Sequence, residues 1–357
     1  MNDPERPYND LPHLPPRIDL ESKAVLKKAI AANSSLAKLE GKAQRLPHQG
    51  ILINSVVLQE ARDSSEIENI FTTQDELYQA SASGISTASA ETKEVMRYRE
   101  ALWKGFTSIR DRPISISTII DIVSTIKQTQ LDVRTSLDTK IVNKSTNEVI
   151  YSPPVGEASL RDLLTNLTAY IHEEDDVDHL VKLAVIHYQF EAIHPFVDGN
   201  GRTGRILNLL YLVHAGLLSI PVLYLSGFII RNKSDYYRLI RGVTESQDWE
   251  AWLIFMLTAI DETALHTIKL IDSIVLLMNE CADHVQAKAP KIYSKDLIEI
   301  IFREPYCKIA WLVEGNIAKR QTASTYLNTL AELGVLEAKK IGREKYFINT
   351  KLIEVLA

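Results

Sequence analysis

His194-Pro195-Phe196-Val197-Asp198-Gly199-Asn200-Gly201-Arg202-Thr203-Gly204-Arg205 gathers one imidazole, one carboxylate, three glycines and two guanidinium groups into a single short stretch. No packed core needs that mixture. Glycine lets backbone amides approach an anion, arginine clamps phosphate oxygens, a lone carboxylate suits a divalent cation, and histidine accepts a proton near neutral pH. Together they read as a site for a metal-bound nucleotide phosphate facing a nucleophile. Gly199, Gly201 and Gly204 also have GxGxxG spacing, and the fold class turns on what surrounds them. A dinucleotide-binding fingerprint follows a strand in a βαβ unit and precedes an acidic residue about 20 positions on. Here the stretch follows the helix-like run 183–190 and opens into the apolar helical run 206–212, and 221–225 carries no acid. The chain therefore reads as mainly α. The anion chemistry survives, because Gly199-Asn200-Gly201 at a helix N-terminus offers free backbone amides as a nest for phosphate.

Working outward, helical periodicity covers 24–39 up to Gly41, and then 51–61, continuing through Ser64-Ser65-Glu66-Ile67-Glu68-Asn69. Residues 81–91 are small and polar and read as a flexible connection before a helix that opens near Thr92. From 114 to 260 the pattern is again helical with one interruption. Strands at 140–144 and 148–152, around a turn at 145–147 and closed by Pro153-Pro154, read as a hairpin. Helices at 163–172 and 179–193 flank an acidic loop, and 259–287 reads as a long helix leading to Pro290.

With 357 residues, 45% hydrophobic and 24% charged, the chain has the mass for two or three folded units. A net charge of −6 argues against a generally basic nucleic-acid binder. Cys281 and Cys307 form no CxxC pair, so a reducing compartment fits better than a disulfide framework or a zinc site. The N-terminus, with Pro4, Pro7, Pro12, Pro15 and Pro16, lacks a signal-peptide core and reads as a loose cytoplasmic start. The longest apolar run, 252–260, is about half of the ~20 residues that span a bilayer, so no membrane partner is expected. From 291 onward eleven basic residues face eight acidic ones, a tail of +3 against −9 for the rest.

The stretch 194–205 resembles the signature HxFx(D/E)GNGRxxR of the Fic family, whose members mostly transfer AMP from ATP to protein hydroxyls, and all eight specified positions match. The resemblance implies a helical bundle with a β-hairpin flap at 140–152. It makes His194 the general base for a Ser, Thr or Tyr hydroxyl of a target protein or of the chain itself. It makes Asp198 the holder of Mg²⁺ on the ATP phosphates. Asn200 and the amides of Gly199, Gly201, Thr203 and Gly204 would surround the phosphates, with Arg202 and Arg205 on the β- and γ-phosphates. Doc-like kinases of the same family carry Lys where this chain has Gly201, so the glycine favours AMP transfer. Tyr237, in Asn232-Lys233-Ser234-Asp235-Tyr236-Tyr237-Arg238, would line the adenine pocket. Phe196 reads as a core anchor, Tyr236, Trp249 and Trp252 as core or as part of this family-like segment, and His187 as core or surface.

Ser64-Ser65-Glu66-Ile67-Glu68-Asn69 fits the family's inhibitory pattern (S/T)xxxE(G/N), with Ser64, Glu68 and Asn69 at the fixed positions. By that resemblance Glu68 pairs with Arg205 and displaces the γ-phosphate, and a freed Glu68 could also support removal of AMP from a target. Beyond 290, helices at 294–301, 309–313 and 321–333 and strands at 335–340 and 345–348 resemble a winged-helix domain. Lys319, Arg320, Lys340, Arg343 and Lys345 would then meet DNA phosphates or a docked protein. The expected division is an N-terminal helical region 1–100, a catalytic domain 101–262, a connecting helix 263–290 and a winged helix 291–357, assembled as a homodimer. The alternative is a nucleotide-sensing, DNA-binding regulator without transfer.

Overall fold

A computed structural model of the chain describes residues 3–44, 50–84, 88–142, 147–341 and 344–356. Its centre is an enclosed helix. The run His179–Ile193 carries apolar residues on every face, a pattern that suits a helix surrounded by other helices, and all of it but His179 and Glu191 is buried. In chain order the helices before it are α1 (Lys23–Ala43), α2 (Gly50–Ile67), α3 (Gln74–Ser83), α4 (Ala90–Ser108), α5 (Ile116–Lys127) and α6 (Glu157–His172). The central helix is α7, followed by α8 (Asn200–His214), α9 (Leu225–Arg231), α10 (Lys233–Ser246) and α11 (Trp249–Lys288). Helices α1, α6, α8 and α11 pack around α7, while α2 lies against α4, α8 and α9.

The hairpin expected at 140–152 is present among the described residues as β1 (Ile141–Val142) and β2 (Val149–Tyr151), paired antiparallel. Residues 143–146, where most of the expected turn falls, lie outside the described residues.

Two expectations need correction, and two helices run across expected boundaries. The loose N-terminal segment is in fact docked: Tyr8 N donates to Ser152 O at 2.9 Å, Leu14 N to Asn166 Oδ1 at 2.7 Å, and Gln189 Nε2 to Pro12 O at 2.9 Å. Prolines cannot donate from their nitrogen, but their carbonyls accept, and Leu11 and Leu14 add buried apolar surface. The connection expected at 81–91 is shorter at both ends, with α3 reaching Ser83 and α4 starting at Ala90 after its cap Ser89 accepts from Thr92 N; Gly84, Ala88 and Ser89 are the described non-helical residues between them. Residues 85–87 lie outside the described residues. Finally, α4 crosses residue 100 and the single 40-residue helix α11 crosses residue 262, so neither expected boundary is a break in the chain.

Beyond α11 come α12 (Lys295–Arg303), β3 (Tyr306–Cys307), α13 (Ile309–Glu314), α14 (Arg320–Glu332), β4 (Glu337–Ile341), β5 (Glu344–Ile348) and α15 (Thr350–Leu356). The three strands form an antiparallel sheet in the order β3-β5-β4. The expected three helices and hairpin are there, joined by β3 and α15, which the sequence pattern did not show. Lys319, Arg320, Lys340 and Lys345 are exposed, Lys345 bonding Asn328 at 2.6 Å, while Arg343 lies outside the described residues. This unit packs on the N-terminal helices. Gln74 Nε2 donates to Leu356 O at 2.9 Å, Gln59 of α2 donates to the same oxygen, and Ser81 Oγ donates to Glu304 at 2.8 Å. Helix α11 is long and apolar enough by length and composition to cross a bilayer, and 56% of its apolar window is buried inside the fold, as in a core helix.

Candidate active site

His194 ends α7. Its backbone is left-handed (φ 47°), and its N–H still closes the last turn onto Phe190 O at 3.1 Å. The chain then crosses to α8 through a short loop whose shape is set from within. Asn200 Oδ1 accepts from Phe196 N at 2.9 Å and Asn200 Nδ2 donates to Phe196 O at 2.8 Å, with the Phe196 ring buried in the core. Gly199 follows in the left-handed region (φ 87°), where a Cβ would lie 3.1 Å from Val123 Cγ2, and α8 begins.

The imidazole of His194 is buried, and its Nδ1 has no hydrogen-bond partner. Burial, reinforced by the nearby Arg134 guanidinium, pushes its pKa down to about 4 against the opposing pull of Glu68 and Asp198. At neutral pH the ring is therefore an uncharged base. Asp198 is half-exposed, with Lys127 Nζ 2.5 Å from its Oδ2. Burial would raise its pKa, but Lys127 and Arg202 outweigh that and hold it below the usual carboxylate range.

Both arginines are buried and already carry carboxylates. Arg202 Nη1 donates to Glu94 Oε1 at 2.6 Å and lies 3.8 Å from Asp198 through Nη2. Arg205 Nη2 donates to Glu68 Oε1 at 2.8 Å and to Ser64 O at 2.8 Å, and its Nε donates to Ser64 Oγ at 2.8 Å. Glu68 is not on the helix that carries Ser64. It lies just past the end of α2, in a turn closed by Ile70 N on Ser65 O at 3.0 Å, with Asn69 left-handed at φ 66°. Glycine and asparagine are the residues that take that conformation at a helix C-terminus, which explains the last position of the pattern. Burial alone would raise Glu68's pKa, but the guanidinium of Arg205 holds it below the usual carboxylate range.

The remaining residues of the stretch divide by direction. A Cβ at Gly201 would sit 2.3 Å from Glu68 Oε1, so this glycine makes the room that Glu68 occupies. A Cβ at Gly204 would meet Glu191 Oε1 at 2.3 Å and Phe190 Cδ1 at 2.9 Å, so this glycine serves the close packing of α8 on α7. Thr203 is fully buried, and its Oγ1 has no partner. The Asn200 side chain is thus engaged with Phe196, Thr203 is buried, and the Cβ position of Gly204 faces Glu191 and Phe190. What remains for an anion there is the backbone amides.

Tyr237 is 43% exposed on a cavity of about 540 Å³ between the end of α2, the hairpin, α7 and α10, lined also by Glu68, Tyr151, Glu191 and Lys233. Lys233 Nζ donates to Ile67 O at 2.6 Å and so holds the end of α2 from α10. Tyr236, His187 and Trp252 are buried together, with Tyr236 OH 2.8 Å from His187 Nε2. Sequence reasoning did not single out Glu94, Lys127, Arg134 or Lys233 for the site. They come from α4, α5, the loop before β1 and α10, and no local spacing ties them to the stretch 194–205. Among the described residues no three His, Cys, Asp or Glu side chains are grouped to hold a metal. A single half-exposed carboxylate still suits Mg²⁺, which is commonly held by one or two carboxylates together with substrate phosphates.

Three family models match this chain. Residues 26–107 match the Fic/DOC family N-terminal region, 113–212 the Fic/DOC family itself, and 277–352 the C-terminal domain of SoFic-like protein adenylyltransferases. A probable protein adenylyltransferase of Aquifex aeolicus is 28% identical over 179 residues, which cover 50% of this chain and 45% of that protein. A protein adenylyltransferase of Caenorhabditis elegans is 27% identical over 103 residues, 27% of this chain and 20% of that one. The chain thus spans less than half the length of these curated relatives. Among solved structures, a Fic family protein from Desulfovibrio desulfuricans superposes with a TM-score of 0.59 at 18% identity, covering 94% of this chain and 98% of that one. Fic-1 of C. elegans gives 0.53 at 20% identity, covering 69% and 74%.

Proposed function

We propose, for a chain that belongs to the Fic/DOC family, ATP-dependent transfer of AMP to a Ser, Thr or Tyr hydroxyl of a protein, restrained in the resting molecule by Glu68. The observation that carries this reading is an uncharged, buried His194 one short loop away from the amides and arginines at the head of α8.

In the reaction, the target hydroxyl oxygen forms a bond to the α-phosphorus of ATP, and its proton goes to the His194 imidazole. The bond from that phosphorus to the bridging oxygen breaks, and pyrophosphate leaves with the electron pair. The α8 amides hold the α-phosphate, and Arg202 and Arg205 receive the leaving phosphates. Each arginine can do so only after giving up its present carboxylate, Glu94 or Glu68. Asp198 would hold Mg²⁺, which when bound neutralises charge on the phosphate oxygens. Tyr237 offers an aromatic face to the base. The direct test is incubation with Mg-ATP followed by mass spectrometry of the chain. Covalently added AMP supports transfer, and a clean negative in both the native chain and a Glu68→Gly variant favours a nucleotide sensor.

Two further outcomes follow from geometry. Gly201→Ala places a methyl group where the Glu68 carboxylate now sits, and that carboxylate is the movable end of a flexible side chain. AMP incorporation should therefore rise in the direction of Glu68→Gly but less far; a drop would mean that the methyl group obstructs the phosphate first. Lys127 competes with a cation for Asp198. Lys127→Met should tighten Mg²⁺ binding measured calorimetrically with a non-hydrolysable ATP analogue present, whereas an unchanged Kd would show that Lys127 leaves the carboxylate without cost.

A further inference from the structure

Arg134 is 2% exposed, and among the described residues no carboxylate pairs with it. A buried guanidinium without a counter-ion is costly unless its N–H groups are satisfied. Here they are satisfied by backbone carbonyls from three separate segments. Nε donates to His194 O at 2.9 Å, Nη1 to Ser136 O at 3.2 Å and Nη2 to Pro154 O at 2.5 Å. Arg134's own backbone N–H donates to Pro195 O at 2.9 Å. Ser136 lies on the approach to β1, Pro154 on the exit from β2, and His194 and Pro195 in the loop that carries the base. An apolar residue would fill the same space without a desolvation penalty, so filling space does not account for the choice of arginine.

Resting on the AMP-transfer reading above, we propose that Arg134 is a positioning residue that locks the hairpin β1–β2 to the His194 loop. The strand edge that would present a target and the base that would take its proton are thereby held in one register. The hairpin needs such a lock. Its strands are only two and three residues long, and an isolated two-stranded hairpin is marginal in water. Among the described residues its other ties include Tyr151 OH on Ala192 O at 2.8 Å and several to the docked N-terminal segment: Tyr8 N on Ser152 O, Ser152 Oγ on Pro4 O at 2.6 Å and Lys140 Nζ on Glu5 Oε2 at 2.5 Å. None of these reaches the His194 backbone. The planar fork of arginine fixes three acceptors at set angles, whereas the single ammonium of lysine cannot reproduce that geometry. Arg202, Arg205 and Tyr237 are not hydrogen-bond partners of Arg134. The hairpin shares the cavity wall with Tyr237, but Tyr151 keeps its own bond to Ala192 O when the lock goes, so hydroxyl placement is lost before nucleotide affinity.

The test uses the full chain with Glu68→Gly as parent, comparing Arg134→Met and Arg134→Lys. Three quantities are read: AMP incorporated into the chain from Mg-ATP, the calorimetric Kd for a non-hydrolysable ATP analogue, and amide hydrogen exchange over residues 138–151. With misplacement of about 1 Å costing on the order of 100-fold, Arg134→Met should lose about that much transfer, keep the parent's Kd and exchange faster in the hairpin. Arg134→Lys should recover transfer only in part. Parental transfer in Arg134→Met, equal loss of transfer and analogue binding, or full rescue by lysine would each overturn the proposal. If Arg134→Met does not fold, Arg134→Lys decides alone, by slowed transfer at unchanged Kd or by parental transfer. If the parent itself incorporates no AMP, the transfer reading fails, and hairpin exchange then decides the lock: faster exchange in the variants supports it, and unchanged exchange refutes it.

Discussion

Replacing Glu68 with glycine is expected to raise AMP incorporation by about 100-fold, the order of effect produced by moving a reacting group about 1 Å into or out of line. Glu68 Oε1 now takes the Arg205 N–H that a terminal phosphate would use, and it brings a negative charge into that phosphate's space. Arg205 should stay in place when the carboxylate goes, because Ser64 holds it independently through Nε on Oγ and Nη2 on the carbonyl, each at 2.8 Å. The guanidinium is thus freed without being released. Changing pH is no substitute. The folded pKa of Glu68 is depressed by Arg205, so the pair persists throughout the neutral range and is lost only as pH falls below the usual carboxylate range. Labelled-ATP incubation of native and Glu68→Gly chains side by side is the measurement. Equal incorporation would remove Glu68 from any inhibitory role.

The sequence made the central part of the fold legible because both α7 and the stretch after it are locally determined. A run of fifteen residues with apolar side chains on every face of the helix, and only His179, Lys182, His187, Gln189 and Glu191 polar, has to be a largely enclosed helix. Glycine and asparagine then mark where the chain leaves and re-enters helix, at Gly199 and at Asn69. What stayed hidden was set by distant partners. The proline-rich start is ordered by carbonyl acceptors and by Asn166 and Gln189, more than 150 positions away in the chain. Strand β3 is two residues long and exists only because β5, about 40 residues later, pairs with it. Nothing in the local pattern of either segment carries that information.

The same division runs through the site. Spacing located His194, Asp198, Arg202 and Arg205 but not the direction in which their neighbours point. In this structure the Asn200 side chain braces its own loop and the Gly204 position admits α7, internal uses that composition does not reveal. Nor could spacing show that the resting site is filled with internal substitutes. Glu68 and Glu94 stand on the arginines where phosphates would be, and Lys127 stands on Asp198 where a cation would be. The pairing is complementary throughout, negative on the phosphate side and positive on the metal side. On the proposed reading, loading Mg-ATP would exchange one set of ion pairs for another, so the two sets would offset each other in part. Affinity for the nucleotide then depends on small differences, which is why removing one carboxylate is expected to shift the balance so far.

Removing the base itself should have the largest effect. His194→Asn in the Glu68→Gly background is expected to lower transfer by roughly 100- to 10,000-fold, the range that general-base catalysis contributes. Asparagine is the better probe than alanine because residue 194 is left-handed (φ 47°), a conformation asparagine adopts readily and alanine pays about 1–2 kcal/mol to enter. A loss of rate in the asparagine variant therefore reports chemistry rather than a broken loop, and an unshifted Tm should accompany it. The acid limb of kcat/KM in the Glu68→Gly parent provides an independent reading of the same group. Burial and Arg134 depress the pKa of His194 from 6.5 to about 4, so the neutral ring survives as pH falls and the rate is lost only on approaching that value. Removing Glu68 takes away a charge that raised this pKa, which moves the limb further toward acid. A limb at 6.5 or above would mean that the imidazole is solvated during turnover. An asparagine variant as fast as its parent would mean that the proton leaves the hydroxyl by another route.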